Sequence, residues 1–140
     1  RKTSVQRLCY IMQKDSLPPG TSQSEVQHLM KSLKRCDHVN ILQVSEVFED
    51  AGAVYIMYEH YPCCTLLSQL QTHTWTQAQI VNIARECCAA TACCASSGLR
   101  NIGWTLCHVL LPAKATSGGD PCFSKVFGFG LMGTILRDTH

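Results

Sequence analysis

No apolar run in this 140-residue chain approaches the length of a membrane span, and Arg1-Lys2-Thr3-Ser4 at its start lacks the apolar core of a secretory signal. Neither a spanning helix nor a secretory route is expected. Charge is scarce and dispersed: charged residues make up 16% of the chain and the net charge is +2. That balance is too small to imply a nucleic-acid or membrane partner. There is no internal repeat, no low-complexity segment and no initiating methionine, so the chain is expected to be a fragment or processed piece. Ten cysteines are present, yet none are spaced Cys-x-x-Cys. Cys87-Cys88 and Cys93-Cys94 fall within one expected helix, where adjacent side chains diverge by about 100° and cannot close a tetrahedral site together. Free thiols acting as small buried hydrophobes are therefore expected, rather than a disulfide framework or a zinc site.

What is present is enough to build a core. Hydrophobic residues make up 46% of the chain, which argues against disorder, and the length suits one domain. The clearest stretch runs from Glu46 to Tyr61. Ile41, Leu42, Val44, Val47 and Phe48 form a β-rich run, Asp50-Ala51-Gly52 tolerates a tight reversal, and Val54 to Tyr58 form a second run. This is a hairpin. Apolar residues on both parities of the second run predict a strand covered on both faces. Pro62 then disfavours helix at Tyr61, so Glu59-His60-Tyr61 leaves the sheet as an extended connector.

The rest of the chain reads around that hairpin. Val5 to Met12 is β-prone and closes at Leu17-Pro18-Pro19-Gly20. Thr21, Ser22 and Ser24 are N-cap candidates for a helix whose Val26, Leu29, Met30 and Leu33 make one apolar stripe, ending near Cys36-Asp37-His38. Beyond the connector, Cys63 to Leu70 predicts a short helix. Thr74 or Thr76 then caps a long one, in which Ile80, Ile83, Ala84, Cys87, Cys88, Thr91 and Cys94 recur on one side until Gly98. With charge only at Arg85 and Glu86, that helix is expected to be mostly buried; without the helices that would normally surround it, its second apolar side is exposed. Leu106 to Leu111 and Phe123 to Phe127 are expected short strands, with a turn at Ala115 to Pro121 between them.

Several runs carry a resemblance. Val26-Gln27-His28-Leu29-Met30-Lys31-Ser32-Leu33 through His38-Val39-Asn40-Ile41 and Glu46-Val47-Phe48-Glu49-Asp50 are similar to the LKSLxHPNI and EVFED segments of protein kinases, specifically of the calcium-dependent and calmodulin-regulated Ser/Thr group. Ser96-Ser97-Gly98-Leu99 resembles the HSxGI before the kinase catalytic loop, Val109-Leu110-Leu111 the strand after it, and Phe129-Gly130-Leu131 the tail of the DFG motif. The resemblance implies an α+β, protein-kinase-like fold: part of the small-lobe antiparallel sheet with its regulatory helix, followed by the helical start of the large lobe. Residues 1–61 would be the small-lobe portion from the third strand to the hinge, and 62–140 the start of the large lobe to just past the DFG-like position. The group's calcium response would lie outside this chain, which has no D-x-D-x-D-G loop.

Phosphoryl transfer needs charge at defined points, and the resemblance places unsuitable residues at them. The third-strand lysine falls on Tyr10, and the helix glutamate that would hold it falls on Val26, or on Glu25 with a one-residue slip. The catalytic loop lands on Asn101 to His108, with Gly103 at the aspartate that accepts the substrate proton, Thr105 at the lysine and His108 at the metal-binding asparagine; Gly128 stands at the DFG aspartate. For nucleotide, Leu8 would roof the base, Leu110 would floor it, and the backbone at Glu59 and Tyr61 would pair with a purine, while Cys63-Cys64-Thr65 replaces the acidic ribose contact. The implied function is a catalytically inactive, pseudokinase-like domain, cytoplasmic as the family usually is, with no cofactor and no metal. Its partner would be a protein, an active kinase among the candidates; the helix from Ser22 to Leu33 would either offer the contact surface or only pack its stripe on the sheet. The alternative is an active ATP-dependent Ser/Thr kinase of the same group with non-standard or missing catalytic parts. Only that alternative calls for ATP and Mg²⁺.

Overall fold

The computed structural model describes residues 7–17, 19–99, 104–112 and 124–127. Strand β1 (Leu8–Gln13), helix α1 (Gln23–Arg35), strands β2 (Val44–Glu49) and β3 (Ala53–Tyr58), strand β4 (Cys63–Thr65), helices α2 (Leu66–Thr72) and α3 (Gln77–Ser96), and strands β5 (Val109–Pro112) and β6 (Lys125–Val126) follow in that order. They make two antiparallel sheets, ordered β1-β3-β2 and β4-β5-β6.

The hairpin forms where its residues predict. Asp50 Oδ1 accepts from the N–H groups of Gly52 and Ala53, both at 2.8 Å, and closes the reversal; Oδ2 accepts from the Tyr55 hydroxyl at 2.9 Å. The Tyr55 hydroxyl and those two amides hold the Asp50 carboxyl below the usual aspartate range. β3 lies central, between β1 and β2. Val54, Ile56 and Tyr58 on one of its faces are buried, while Tyr55 and Met57 on the other are only half-covered. Coverage of both faces is thus incomplete: on the second face only Ala53 is buried.

Helix α1 starts at a capping box. Ser22 Oγ accepts from the Glu25 N–H at 3.2 Å, and Glu25 Oε2 accepts from the Ser22 N–H at 2.7 Å. Its stripe packs as expected, with Val26 and Leu33 buried and Leu29 and Met30 partly so, and Cys36 caps its end. Helix α3 begins with a second capping box, Thr76 with Gln79. It ends where Gly98 adopts φ +88°. There the Leu99 N–H donates to the Cys94 carbonyl and the Gly98 N–H to the Ala95 carbonyl, both at 3.1 Å, the paired bonds that a left-handed residue after a helix makes possible.

Four expectations are corrected. Cys63 and Cys64 are not helical: they pair with Pro112 and Leu111 in β4, and the helix begins only after Thr65, whose hydroxyl accepts from the Ser68 N–H at 3.2 Å. A strand partner more than forty positions away outweighs the local preference. Leu106–His108 forms a 3-10 turn capped by Thr105, so the strand starts at Val109 rather than Leu106. Helix α3 is not mostly buried: only Cys87, Ala90 and Cys94 are, and Ile80 and Val81 stand 51% and 47% exposed. Of the nine described cysteines, all free thiols, only Cys36, Cys87 and Cys94 are buried, while Cys9, Cys88 and Cys107 are exposed. The thiols follow the coverage of the elements that carry them. The 115–121 turn and Phe123 lie outside the described residues, as do Val5 and Gln6; the pairing seen there is Lys125–Val126 with β5, and the first strand runs from Leu8.

The two sheets are stitched together through the segment after α1. Ile41 bridges Val126, the Leu42 N–H donates to the Val126 carbonyl and the Val126 N–H to the Asn40 carbonyl, both at 2.9 Å. Buried Asn40 adds a side-chain bond from Nδ2 to the Ser124 carbonyl at 3.0 Å. Glu86 of α3 accepts from the Ser124 N–H at 2.9 Å and from its hydroxyl. One core runs through all of these elements.

Candidate functional site

The connector between the sheets is the best-defined polar arrangement near the expected site. The Glu59 N–H donates to the Gln43 carbonyl at 2.9 Å and the Gln43 N–H returns a bond to Glu59 Oε1 at 3.2 Å, locking the exit of β3 onto the segment before β2. Lys125 of β6 then reaches up: its Nζ donates to Glu59 Oε1 at 2.7 Å and sits 5.2 Å from the centre of the Tyr61 ring. Burial pushes the Glu59 carboxyl upward, but Lys125 and the Gln43 amide outweigh it, and the pKa lies below the ordinary glutamate value. Connector and second sheet are thereby tied at one point.

Beneath that tie lies an aromatic step. Phe127 meets the buried Tyr58 edge-on at 6.1 Å between ring centres and lies 5.5 Å from the His108 ring, tilted by 49°. The Phe127 N–H donates to the His108 carbonyl at 3.1 Å. His108 Nδ1 faces Thr105, within 3.2 Å of its N–H and 2.9 Å of its hydroxyl. Burial lowers the His108 pKa, favouring the neutral ring.

The expected site residues fall as follows. Leu8 pairs opposite Tyr58 at the start of β1 and is 46% exposed; Tyr10 pairs opposite Ile56 and is half-buried against the core. Leu110 is buried in β5, opposite Lys125 on one side and Thr65 on the other. Glu59, Tyr61 and the strand beside Leu110 are therefore brought together by Lys125. Val26 is a core residue of α1, and Glu25 is engaged in the helix cap. Gly103 and Gly128 lie outside the described residues.

Two features escape a reading of the sequence. Lys125 is one, a single cation alternating with apolar Val126 whose partner Glu59 stands 66 positions earlier. The other is Glu49, at the end of β2. It accepts from Gln23 Nε2 at 2.9 and 3.0 Å, from Gln27, and from Lys14 Nζ at 3.1 Å, so that α1, β1's end and β2 share one carboxylate. Those partners, Gln23 first and then Lys14, lower its pKa. Beside this cluster, Lys14, Leu17, Gln23 and Val26 help to line a cavity of about 370 Å³, to which none of Leu8, Glu59, Tyr61 and Leu110 contributes. Among the described residues no group of three or more His, Cys, Asp and Glu side chains is placed to hold a metal ion.

No protein-family model matches the chain, and no curated protein matches it. Among solved structures it is similar to a variant of the kinase domain of PknI from Mycobacterium tuberculosis, with a TM-score of 0.74 and 13% identity, over 89% of this chain and 49% of that one. The chain thus spans about half the length of the structure it matches. At that identity the likeness speaks for the fold. The antiparallel β1-β3-β2 sheet with α1, the connector from Glu59 to Tyr61, and the helices and small sheet that follow have the architecture of a protein-kinase small lobe and the start of its large lobe.

Proposed function

We propose that this chain is a catalytically inactive, pseudokinase-like domain that acts as a protein-binding or regulatory module. The observation that carries the reading is the way α1 is held. In a kinase the corresponding helix presents a glutamate to a lysine that pairs with phosphate. Here Tyr10 stands at the lysine position, Glu25 is committed to the Ser22 cap, and α1 is tied to the sheet by Gln23 and Gln27 on Glu49, with Lys14 completing the cluster. The helix has an anchor that needs no nucleotide.

Magnesium does not fit the residues described. A hard cation takes oxygen ligands, and the residue at the metal position, His108, offers a ring that is occupied with Thr105 and packed beside Phe127. Gly103 and Gly128 bring no side-chain oxygen. The partner is a protein, an active kinase being one candidate, and its contact is not the apolar stripe of α1, since Val26 and Leu33 are buried beneath that helix. The dispersed net charge of +2 supports neither a nucleic-acid nor a membrane partner. No helix among the described residues is long and apolar enough to cross a membrane. The cytoplasm is proposed on the resemblance to protein kinases, whose usual compartment it is.

The test is a thermal melt of the purified chain, alone and with millimolar ATP, with and without Mg²⁺, beside a phosphotransfer assay on a generic peptide. A ligand far above its dissociation constant stabilises a fold by about 2–4 kcal/mol. A cooperative melt that nucleotide leaves in place, with no transfer, is the expected result. An upward shift that requires Mg²⁺, or transfer abolished by replacing His108, would overturn the reading.

A further inference from the structure

Helices α1 and α3 meet at their C-terminal ends, and each brings a cysteine to the meeting point. Cys36, the residue that caps α1, and Cys94, in the last turn of α3, are 3% and 0% exposed, and their sulfur atoms lie 3.9 Å apart across 58 positions of chain. Neighbouring contacts confirm the close approach. Cys93 Sγ lies 3.9 Å from the Asp37 carbonyl, and a β-carbon placed on Gly98 would lie only 3.6 Å from Ser32 Oγ, one turn before Cys36. The two thiols share a hydrogen bond. The Cys94 contact, opposed by burial and aided by Ser97, brings the Cys36 pKa down to about 7, while the same contact raises that of Cys94. Of the two sulfurs, Cys36 is the one whose thiolate the contact favours, with Cys94 supplying the proton to the shared bond in that form.

We propose that Cys36 and Cys94 form a reversible disulfide under oxidation by a peroxide, clamping the end of α1 to the end of α3. A disulfide needs its sulfurs about 2.05 Å apart, so the pair must close from 3.9 Å by side-chain rotation. The Cys36 thiolate attacks one oxygen of hydrogen peroxide, forming S–O as O–O breaks and releasing hydroxide. The Cys94 sulfur then attacks the sulfenic sulfur, S–S forms, S–O breaks, and the departing oxygen leaves as water with the Cys94 proton. The proton that Cys36 gave up on ionising converts the hydroxide to water, so that in sum two thiols and one peroxide give one disulfide and two waters. Burial of both sulfurs selects the small oxidant over a bulky disulfide such as oxidised glutathione. In a reducing compartment the bond would be transient.

The experiment uses the full chain, treated with hydrogen peroxide, its remaining thiols blocked, then digested without reductant and mapped by mass. A linked Cys36–Cys94 peptide in monomeric protein is expected, together with a melting midpoint raised by several degrees and returned by dithiothreitol, since a bond closing so long a loop restricts the unfolded chain. Cys36→Ala and Cys94→Ala should each abolish the raised midpoint, and Cys88→Ala should keep it. Mapping the unsubstituted chain decides the matter even where a variant folds poorly. Peroxide-treated protein without that linkage, with Cys36 joined to Cys93 or an exposed cysteine instead, or linked with no change in the melt, would overturn the proposal.

Discussion

Helices α1 and α3 are built to the same local rules and end in different surroundings. Each opens with a capping box, Ser22 with Glu25 and Thr76 with Gln79, and each places apolar residues at helical spacing. Yet α1 buries three side chains, Val26, Ser32 and Leu33, in 13 residues, with Leu29 and Met30 partly covered beside them, whereas α3 buries the same number in 20 and leaves Ile80 and Val81 about half exposed. Caps and periodicity decide that a helix forms and where it begins. Burial is decided by what else the chain supplies to pack on it. In α1 apolar and polar residues are segregated; in α3 the spacing picks out the side that carries Cys87 and Cys94, which is covered, but alanines and cysteines also run around the cylinder, so the sequence does not say how far the cover extends.

Substitutions can press on that contrast. The largest effect is expected from Leu33→Ala in α1: with 4% exposure, truncation should cost about 3 kcal/mol in urea unfolding, and a cost below about 1 kcal/mol would mean that α1 packs no better than α3. The caps should behave alike. Ser22→Ala and Thr76→Ala are each expected to cost about 1 kcal/mol; a marked inequality would show that local signals, too, differ between the helices. Glu49→Gln tests the charged anchor of α1 through pH. Its folded-state pKa lies below the ordinary glutamate value, held there by Gln23 and Lys14, so its contribution is fully present above about pH 4.3 and fades as pH falls through the lower folded value. The substituted chain should therefore lose less melting temperature than the parent between neutral and strongly acid pH, and parallel profiles would refute this. The smallest change is expected from Ile80→Ala on the open side of α3, within about 0.5 kcal/mol of the parent. A large loss there would reveal a covering that α3 otherwise lacks.

The same contrast explains what could be read before the fold was known. The hairpin, its Asp50 turn, the stripe of α1, and the ends of α3 at Thr76 and Gly98 rest on neighbours in sequence, and each is visible there. Strand β4 is not, because Cys63-Cys64-Thr65 becomes extended only through Val109–Pro112, far along the chain. For Leu8, Tyr10, Glu59, Tyr61, His108 and Leu110 the resemblance supplies the expectation of a role, and the structure supplies where each one lies. The Lys125–Glu59 tie and the sharing of Glu49 cannot, since both join charges whose partners are set by how the elements pack. Gly103 and Gly128 lie outside the described residues.

Among the described residues, the order β1-β3-β2 leaves each outer strand of the sheet with main-chain N–H and C=O groups facing away from β3. The two margins are defended unequally. β2 carries Glu46 and Glu49 and a register shift between Val44 and Glu46, charge and irregularity that discourage another chain from adding alongside. β1, Leu-Cys-Tyr-Ile-Met-Gln, has no charge from Leu8 to Gln13 and pairs with β3 without a break. Among the described residues the margin of β1 is therefore the less guarded of the two, and that of β2 the one that charge and irregularity protect.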